Sequence, residues 1–188
     1  MSIRAQTLSR RRFIELGTFA ALACLVPGPV LAHKRLWRRQ GPERSLSLYN
    51  VHSGEQVRVV YWVEGAYVPD ALREIDYLLR DHRANAIRPI DVRLLDTLHE
   101  LGGTVQARHP FHVISGYRTP QTNARLRRRR RGVARFSLHT RGQAVDIHLP
   151  GCELRTLRRA AVSLQQGGVG YYPRSKFLHV DVGRVRYW

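Results

Sequence analysis

The sequence predicts an α+β fold in which helices pack on a central antiparallel sheet within a single domain. Its length of 188 residues is typical of one domain, and a hydrophobic fraction of 43% is sufficient for a packed core. Short strand-like runs and amphipathic helical segments occur in mixed order, without an internal repeat or a coiled-coil heptad. Intrinsic disorder and fibrous architectures are therefore excluded as descriptions of the whole chain.

The first 32 residues have the pattern of an export signal. The arginines Arg10, Arg11 and Arg12 precede an aromatic and an aliphatic residue, which is the twin-arginine pattern of Tat-type signals. The apolar stretch over residues 16–26 is too short and too rich in Ala and Gly to span a bilayer comfortably. We therefore predict a Tat-type signal peptide over residues 1–32, cleaved after Ala32, with an uncleaved N-terminal anchor as the alternative.

Removal of this segment would change the charge and the cysteine content of the chain. The mature protein would begin near His33 in the periplasm, and its net charge would fall from +18 to about +15. Cys152 would be its only cysteine, so no internal disulfide could form. Residues 33–43 are basic and contain Pro and Gly, which predicts a linker to a domain over residues 44–188.

A hairpin and two helices are predicted in the first half of this domain. Residues 45–49 alternate polar and apolar side chains, and residues 56–63 are β-branched and aromatic, so the two runs form a hairpin. Asp70 caps a helix that ends near Arg83. A second helix begins at Asp91 and ends at two glycines. The inward faces are Leu72, Ile75, Leu78 and Leu79 in the first helix and Leu94, Leu95 and Leu98 in the second.

Four short strands and two helices are predicted in the second half. The strands span residues 111–116, 144–149, 169–172 and 177–182. One helix begins at Thr119 and Pro120 and is followed by a run of arginines, and the other spans residues 153–164.

The excess of positive charge is the strongest signal in the composition. There are 32 Lys and Arg residues against 14 Asp and Glu residues, which indicates a polyanionic partner: nucleic acid, an anionic membrane surface or an acidic wall polymer. Nucleic acid is disfavoured, because an exported protein does not normally meet chromosomal DNA. No aromatic residues alternate with the arginines, and no nucleic-acid-binding motif is present.

A candidate metal site is visible in the last third of the sequence. His139 precedes a predicted strand, Asp146 lies within that strand, and His179 lies on a later strand. Two imidazoles and one carboxylate are a usual ligand set of catalytic zinc, which leaves a fourth position for water. Because nine histidines produce chance pairs, hydrogen-bonded or surface histidines are the alternative interpretation.

Three further histidines are weaker candidates. His148 is an alternative ligand, but it lies close to Pro150 at the end of its strand. His109 and His112 flank Pro110 and are predicted to be ordinary loop or strand residues.

The motif Ser137-x-His139-x-x-Gly142-x-Ala144-x-Asp146, followed by His179, resembles a family of zinc peptidases. These are the D-Ala-D-Ala carboxypeptidases and murein endopeptidases, which cleave peptidoglycan stems. Residues 48–55, 115–120, 122–124 and 168–175 are similar to the murein endopeptidase K family. The resemblance covers nearly all of residues 44–188. It implies a D-Ala-D-Ala carboxypeptidase-like fold, bound Zn²⁺, a periplasmic location and hydrolysis of murein cross-links.

The resemblance also implies roles for individual residues. The zinc ligands correspond to His139, Asp146 and His179. Arg118 corresponds to a residue that grips a carboxylate or carbonyl oxygen of the substrate. A salt bridge on a turn is the alternative role for Arg118.

One position departs from the family pattern. Lys176 stands three residues before His179, where related carboxypeptidases have an acidic general base. A lysine cannot fill that role in the usual way. We therefore predict that Asp181 serves either as the general base or as the residue that orients a histidine ligand.

The sequence leaves the role of the arginine run and the identity of the substrate bond open. The run consists of Arg127, Arg128, Arg129, Arg130 and Arg131. It either contacts anionic murein or lipid headgroups or forms a solvated loop. The predicted function is a zinc-dependent murein endopeptidase that acts on a 3-3 cross-link, a 4-3 cross-link or a terminal D-Ala. The alternative is a non-catalytic, cationic wall-binding protein that retains the fold.

Overall fold

The computed structural model describes residues 43–129 and 132–188. The predicted signal peptide, residues 33–42 of the predicted linker, Arg130 and Arg131 lie outside these ranges. None of the helices in the described ranges is both long and apolar enough to cross a membrane.

Strands and helices alternate irregularly along the described ranges. The strands are β1 (Glu43–Asn50), β2 (Gln56–Val63), β3 (Ala66–Tyr67), β4 (Phe111–Ser115), β5 (Ala144–His148), β6 (Gly168–Tyr172), β7 (Phe177–Asp181) and β8 (Arg186–Tyr187). The α-helices are α1 (Pro69–Leu78), α2 (Val92–Thr104), α3 (Pro120–Arg129) and α4 (Leu154–Leu164), and a 3₁₀ helix spans Leu138–Arg141. The predicted α+β class is confirmed.

The strands form one mixed sheet in the order β3-β2-β1-β4-β5-β7-β6-β8. Most pairings are antiparallel, as predicted, and they include the β1–β2 hairpin. The β1–β4 and β6–β8 pairings are parallel. Parallel neighbours need a crossover connection, and the segment containing α1 and α2 supplies it between β1 and β4. The sequence prediction treated the sheet as antiparallel throughout and missed these crossovers.

Two predicted details of the first helix are wrong. Asp70 is not its N-cap: α1 begins at Pro69 after Val68, whose side chain makes no capping bond. A proline at the first helical position is already fixed near the helical φ, and the Asp70 carboxylate pairs with Arg73 instead. The helix ends at Leu78 rather than near Arg83, because the chain then turns into a bridge between Asp81 and Ala86.

The second helix has the predicted start but not the predicted end. The side chain of Asp91 accepts a hydrogen bond from the Arg93 amide (3.1 Å), as an N-cap does. The helix continues through Gly102 and Gly103 to Thr104. Neither glycine has the positive φ that ends helices, so the pair weakens the helix without terminating it.

The core lies between three helices and one face of the sheet. It contains Ile75 and Leu78 from α1, Leu94, Leu95, Leu98 and Leu101 from α2, and Leu157 and Ala161 from α4. The strands contribute Val145 and Ile147 from β5 and Leu178 and Val180 from β7. Because side chains alternate along a strand, Asp146, His179 and Asp181 lie on the opposite face of the sheet. This alternation separates the polar site from the core.

Candidate metal centre

Three neighbouring elements supply the three predicted metal ligands. His139 lies on the 3₁₀ helix, Asp146 lies on β5 and His179 lies on β7. Strands β5 and β7 are antiparallel neighbours whose register places Asp146 directly opposite His179. Gly142 follows the 3₁₀ helix with a φ of 69°, and a Cβ atom there would lie 2.5 Å from the Pro89 carbonyl oxygen. Glycine at this motif position therefore lets the chain turn from His139 into β5.

The donor atoms of these residues converge on one point. Asp146 Oδ1 lies 3.2 Å from His139 Nε2 and 2.9 Å from His179 Nδ1. The two imidazole nitrogens lie 3.2 Å from each other. All three ligand atoms lie within 4.8 Å of one another, and in the described part of the chain no other group of His, Cys, Asp or Glu meets this condition. The group could therefore hold a metal ion.

Hydrogen bonds to residues outside the metal group fix which ring nitrogen of each imidazole carries a proton. The Gly116 carbonyl oxygen lies 2.7 Å from His139 Nδ1, and because a carbonyl only accepts, His139 Nδ1 carries the proton. Asp181 Oδ2 lies 3.0 Å from His179 Nε2 and accepts from it in the same way. His139 Nε2 and His179 Nδ1 are left facing each other, and their lone pairs repel unless a proton or a cation lies between them. The donor set therefore fits a divalent metal ion.

The electrostatic surroundings favour the metal-binding forms of His139 and Asp146 but not that of His179. Burial lowers the pKa of His139, which favours its neutral form. Burial alone would raise the pKa of Asp146, but His139, His179 and Arg118 outweigh it and hold that pKa well below its usual range. For His179 burial acts to lower the pKa, and the hydrogen bonds to Asp146 and Asp181 raise it overall. A proton on His179 therefore competes with a cation for the centre.

Asp181 is buried and saturated with hydrogen bonds. Its side chain has no exposed surface. Oδ1 accepts from the amides of Gly168 (3.1 Å) and Gly183 (2.9 Å) and from Arg186 Nη1 (3.0 Å). Oδ2 accepts from Arg186 Nη2 (2.7 Å) and from His179. A carboxylate with no free lone pair is poorly placed to take a proton from water, and the geometry favours its orienting role over its role as general base.

Arg118 joins the metal group to the turn after β4. Its Nε donates to Ser115 Oγ (2.7 Å), and its Nη2 forms a salt bridge with Asp146 Oδ2. Its backbone amide donates to the His139 carbonyl oxygen (3.2 Å). The side chain is 13% exposed, and Nη1 makes no hydrogen bond to the described residues. Arg118 thus forms the salt bridge of the alternative interpretation and still offers a donor to a substrate.

Sequence reasoning missed two residues that support this site. Asp81 is buried and accepts from the Thr119 amide (2.9 Å) and hydroxyl (3.0 Å), which holds the turn that carries Arg118. Arg186 holds Asp181. The predicted first helix ends near Arg83 and so includes Asp81, which gives no sign that Asp81 lies in the turn after α1. The signal for Arg186 was a cation five residues after a predicted site carboxylate.

The other histidines and Lys176 lie outside the metal group. His148 and His112 face each other across β4 and β5, with ring centroids 6.0 Å apart, and His109 lies in the loop before β4. Lys176 is exposed in the turn between β6 and β7. No acidic side chain occupies its position, so the departure from the family pattern persists in the fold.

The described part of the arginine run is helical rather than the loop that one of the two interpretations of the run predicts. Arg127, Arg128 and Arg129 form the last turn of α3, and all three are exposed. Arginine is a good helix former, and no Gly or Pro lies between Pro120 and Arg129 to interrupt the helix.

Comparison with known proteins identifies close relatives along almost the whole chain. A protein family described as peptidoglycan L,D-endopeptidase MepK matches residues 39–188. The chain is 43% identical over 180 residues to the peptidoglycan L,D-endopeptidase MepK of Escherichia coli K12, which covers 96% of this chain and 97% of the relative. It is 36% identical over 181 residues to the probable MepK of Haemophilus influenzae Rd, with 96% and 95% covered. No solved structure matches the chain.

Proposed function

Because this chain belongs to the peptidoglycan L,D-endopeptidase MepK family, we propose that it is a zinc-dependent enzyme that hydrolyses peptide cross-links of peptidoglycan. The observation that carries the zinc assignment is the convergence of His139, Asp146 and His179 within 4.8 Å. Zinc accepts two imidazoles and a carboxylate and keeps a fourth position open in catalytic sites. Peptidoglycan lies outside the cytoplasmic membrane, which supports a periplasmic protein exported through a Tat-type signal over residues 1–32.

The names of the relatives favour one of the three substrate bonds. An L,D-endopeptidase cleaves between an L centre and a D centre inside a peptide network. The 3-3 cross-link joins the L centre of one diaminopimelate to the D centre of the next, whereas the 4-3 cross-link joins two D centres. Removal of a terminal D-Ala is a carboxypeptidase reaction. The proposed substrate is therefore the 3-3 cross-link.

Each residue around the centre has a separate task in this proposal. Bound zinc would lower the pKa of a water molecule and polarise the scissile carbonyl group. Asp181 orients His179 through its Nε2 proton. Arg118 holds Asp146 and directs its free Nη1 donor towards the carbonyl or carboxylate oxygen of the substrate.

The lack of an evident general base among the described residues favours the alternative function, that of a non-catalytic wall-binding protein. Lys176 replaces the acidic base of related carboxypeptidases, and Asp181 has no free lone pair to replace it. A wall-binding protein would keep the fold and the metal without hydrolysis.

The test of the proposed function is chromatographic analysis of muropeptides from purified peptidoglycan. We expect the wild-type protein to convert 3-3 cross-linked dimers to monomers, a chelator to stop this, and added zinc to restore it. The 4-3 cross-linked dimers in the same sample are the internal control and should remain. Conversion of the 4-3 dimers, or conversion that continues in chelator, would contradict the proposed bond or the proposed metal.

The exposed arginines at the end of α3 are the second element of the proposal. We expect the triple variant Arg127→Gln, Arg128→Gln, Arg129→Gln to adsorb less to peptidoglycan than the wild type at low salt, with the difference lost at high salt, because exposed charges are screened. Co-sedimentation with purified peptidoglycan measures this. The control is the exposed pair Arg155→Gln, Arg159→Gln on α4. Equal losses per charge removed in the two variants would indicate a net-charge effect rather than a contact.

A further inference from the structure

The last described strand presents alternate side chains to the two faces of the sheet. Arg186 and Trp188 point to the face that carries the metal centre, where Arg186 bonds to Asp181 and Trp188 contacts His179. Tyr187 points to the helical face, where Gln165 donates to its hydroxyl and the Val162 carbonyl oxygen lies 3.5 Å away. Arg186 and Trp188 are two residues apart, and residues at this spacing lie on the same face of a strand.

Arg186 connects this strand to a metal ligand through one carboxylate. Its guanidinium donates to both oxygens of Asp181, at 3.0 and 2.7 Å, and Nη1 also reaches the Arg184 carbonyl oxygen at 3.0 Å. Asp181 in turn accepts the Nε2 proton of His179. Among the described residues, two side chains that can carry a positive charge bond to the buried Asp181 carboxylate: Arg186 and His179. Arg186 therefore holds the Asp181 carboxylate in place and balances its buried charge.

Trp188 covers the side of the same histidine. Its backbone continues the pairing with β6, with Trp188 N to Val169 O at 3.2 Å and Tyr171 N to Trp188 O at 2.9 Å. Its indole Nε1 donates to the Tyr172 hydroxyl (2.9 Å), and its ring centroid lies 5.4 Å from that of His179.

A glycine on β6 makes room for this contact. Gly170 lies opposite His179 in the β6–β7 pairing, and a Cβ atom there would lie 2.7 Å from the Trp188 ring. The indole thus occupies the space above Gly170 and borders His179. The Arg186 guanidinium lies 4.9 Å from the same ring, so the two side chains also contact each other.

We infer that Arg186 and Trp188 form a brace that positions His179 for metal binding, Arg186 through Asp181 and Trp188 by packing against the imidazole. The inference rests on the metal centre of the proposed function. An imidazole that is anchored at Nε2 and packed at its side keeps Nδ1 directed at the metal position before the metal arrives. The His179 side chain then loses its conformational freedom on folding rather than on metal binding, and this raises the affinity for the metal. Both members of the brace are positioning residues.

The test is the zinc dissociation constant of the full chain, measured by competition with a chromophoric chelator. We expect Arg186→Gln to weaken zinc binding about 10- to 100-fold, as loss of an outer partner of a metal ligand typically does. Trp188→Ala should weaken it as well, whereas Trp188→Phe should restore most of the affinity because a ring still borders His179. Tyr187→Phe, on the opposite face of the same strand, should bind zinc like the wild type.

Two further measurements separate positioning from general destabilisation. The midpoint of thermal unfolding should differ between Arg186→Gln and the wild type by less in the zinc-free proteins than in the zinc-bound proteins. The visible absorption of the cobalt-substituted Trp188→Ala variant should differ from that of the wild type, because it reports the ligand geometry. If Arg186→Gln does not fold, the Trp188→Ala and Trp188→Phe pair at a half-exposed position supplies the test.

The possible failures of the brace and of the metal centre are distinguishable. A wild-type protein that binds zinc together with an Arg186→Gln or Trp188→Ala variant of unchanged affinity would overturn the brace alone. A wild-type protein that binds no zinc would overturn the proposed metal centre and the brace with it.

Discussion

We expect the His139→Ala variant to fold, to bind no zinc and to release no muropeptides from peptidoglycan. His139 supplies one of three converging donors, and its Nε2 lies 3.2 Å from both other ligand residues. Two remaining ligands cannot close the protein side of a catalytic zinc site. Metal catalysis contributes several kcal/mol to transition-state stabilisation, so the rate should fall by at least about 10³-fold. Zinc content by elemental analysis and muropeptide chromatography measure the two losses.

His148→Ala is the matched control for this variant. His148 lies on β5 only two residues after Asp146, but it faces His112 and does not belong to the metal group. We expect it to retain zinc and activity. Stoichiometric zinc in His139→Ala would show that His139 is not a ligand. Zinc-loaded wild-type protein that releases no muropeptides would instead favour the wall-binding alternative.

Strand periodicity explains why the convergence of the three predicted ligands could be anticipated from the sequence. Val145 and Ile147 flank Asp146, and Leu178 and Val180 flank His179. Because side chains alternate along a strand, the apolar residues indicate the core face, and the polar residues between them lie on the opposite face. The pairing of Asp146 with His179 needed one more fact, that β5 and β7 are neighbours. Local sequence does not encode neighbours across a sheet, and the resemblance to a known family implied the ligand set without that information.

Some missed features depend on contacts between residues far apart in the chain, and others lie in elements that are too short or too ambiguous locally to show a pattern. Asp81 bonds to Thr119, which lies 38 residues later, and no local pattern links them. The strands β3 and β8 contain two residues each, too few to show an alternating pattern. The parallel pairing of β1 with β4 depends on how the two helices of the connecting segment pack on the sheet. Asp70 failed as a cap because Pro69 begins the helix without one.

The structure also changes the meaning of one predicted residue. The sequence predicts two alternative roles for Asp181 from its place on the strand beside His179. Its burial and its five hydrogen bonds favour orientation of His179, since a general base needs an accessible lone pair. Sequence alone could not separate these roles, because the separation depends on Arg186 and two backbone amides that approach from other segments.

We expect Arg118→Lys to retain zinc and to lose activity by about 10²- to 10³-fold, which is the usual cost of removing a donor that stabilises a developing oxyanion. Lysine keeps the charge but presents a single ammonium group. It cannot bond to Ser115 and Asp146 and still offer a third, fixed donor to the substrate. Steady-state rates on isolated 3-3 cross-linked dimers, together with the zinc dissociation constant, measure the effect.

The ratio of these two losses decides how Arg118 acts. A lower turnover number with unchanged zinc affinity assigns it to the substrate through Nη1. Parallel losses of zinc affinity and activity would mean that it acts on Asp146 alone, as a positioning residue. Arg141→Lys is the control, because Arg141 is exposed on the 3₁₀ helix beside His139 and contacts none of the three ligands in the described structure. Unchanged activity in Arg118→Lys would remove Arg118 from the reaction, and the nearly buried guanidinium would then serve only to hold the fold around Asp146.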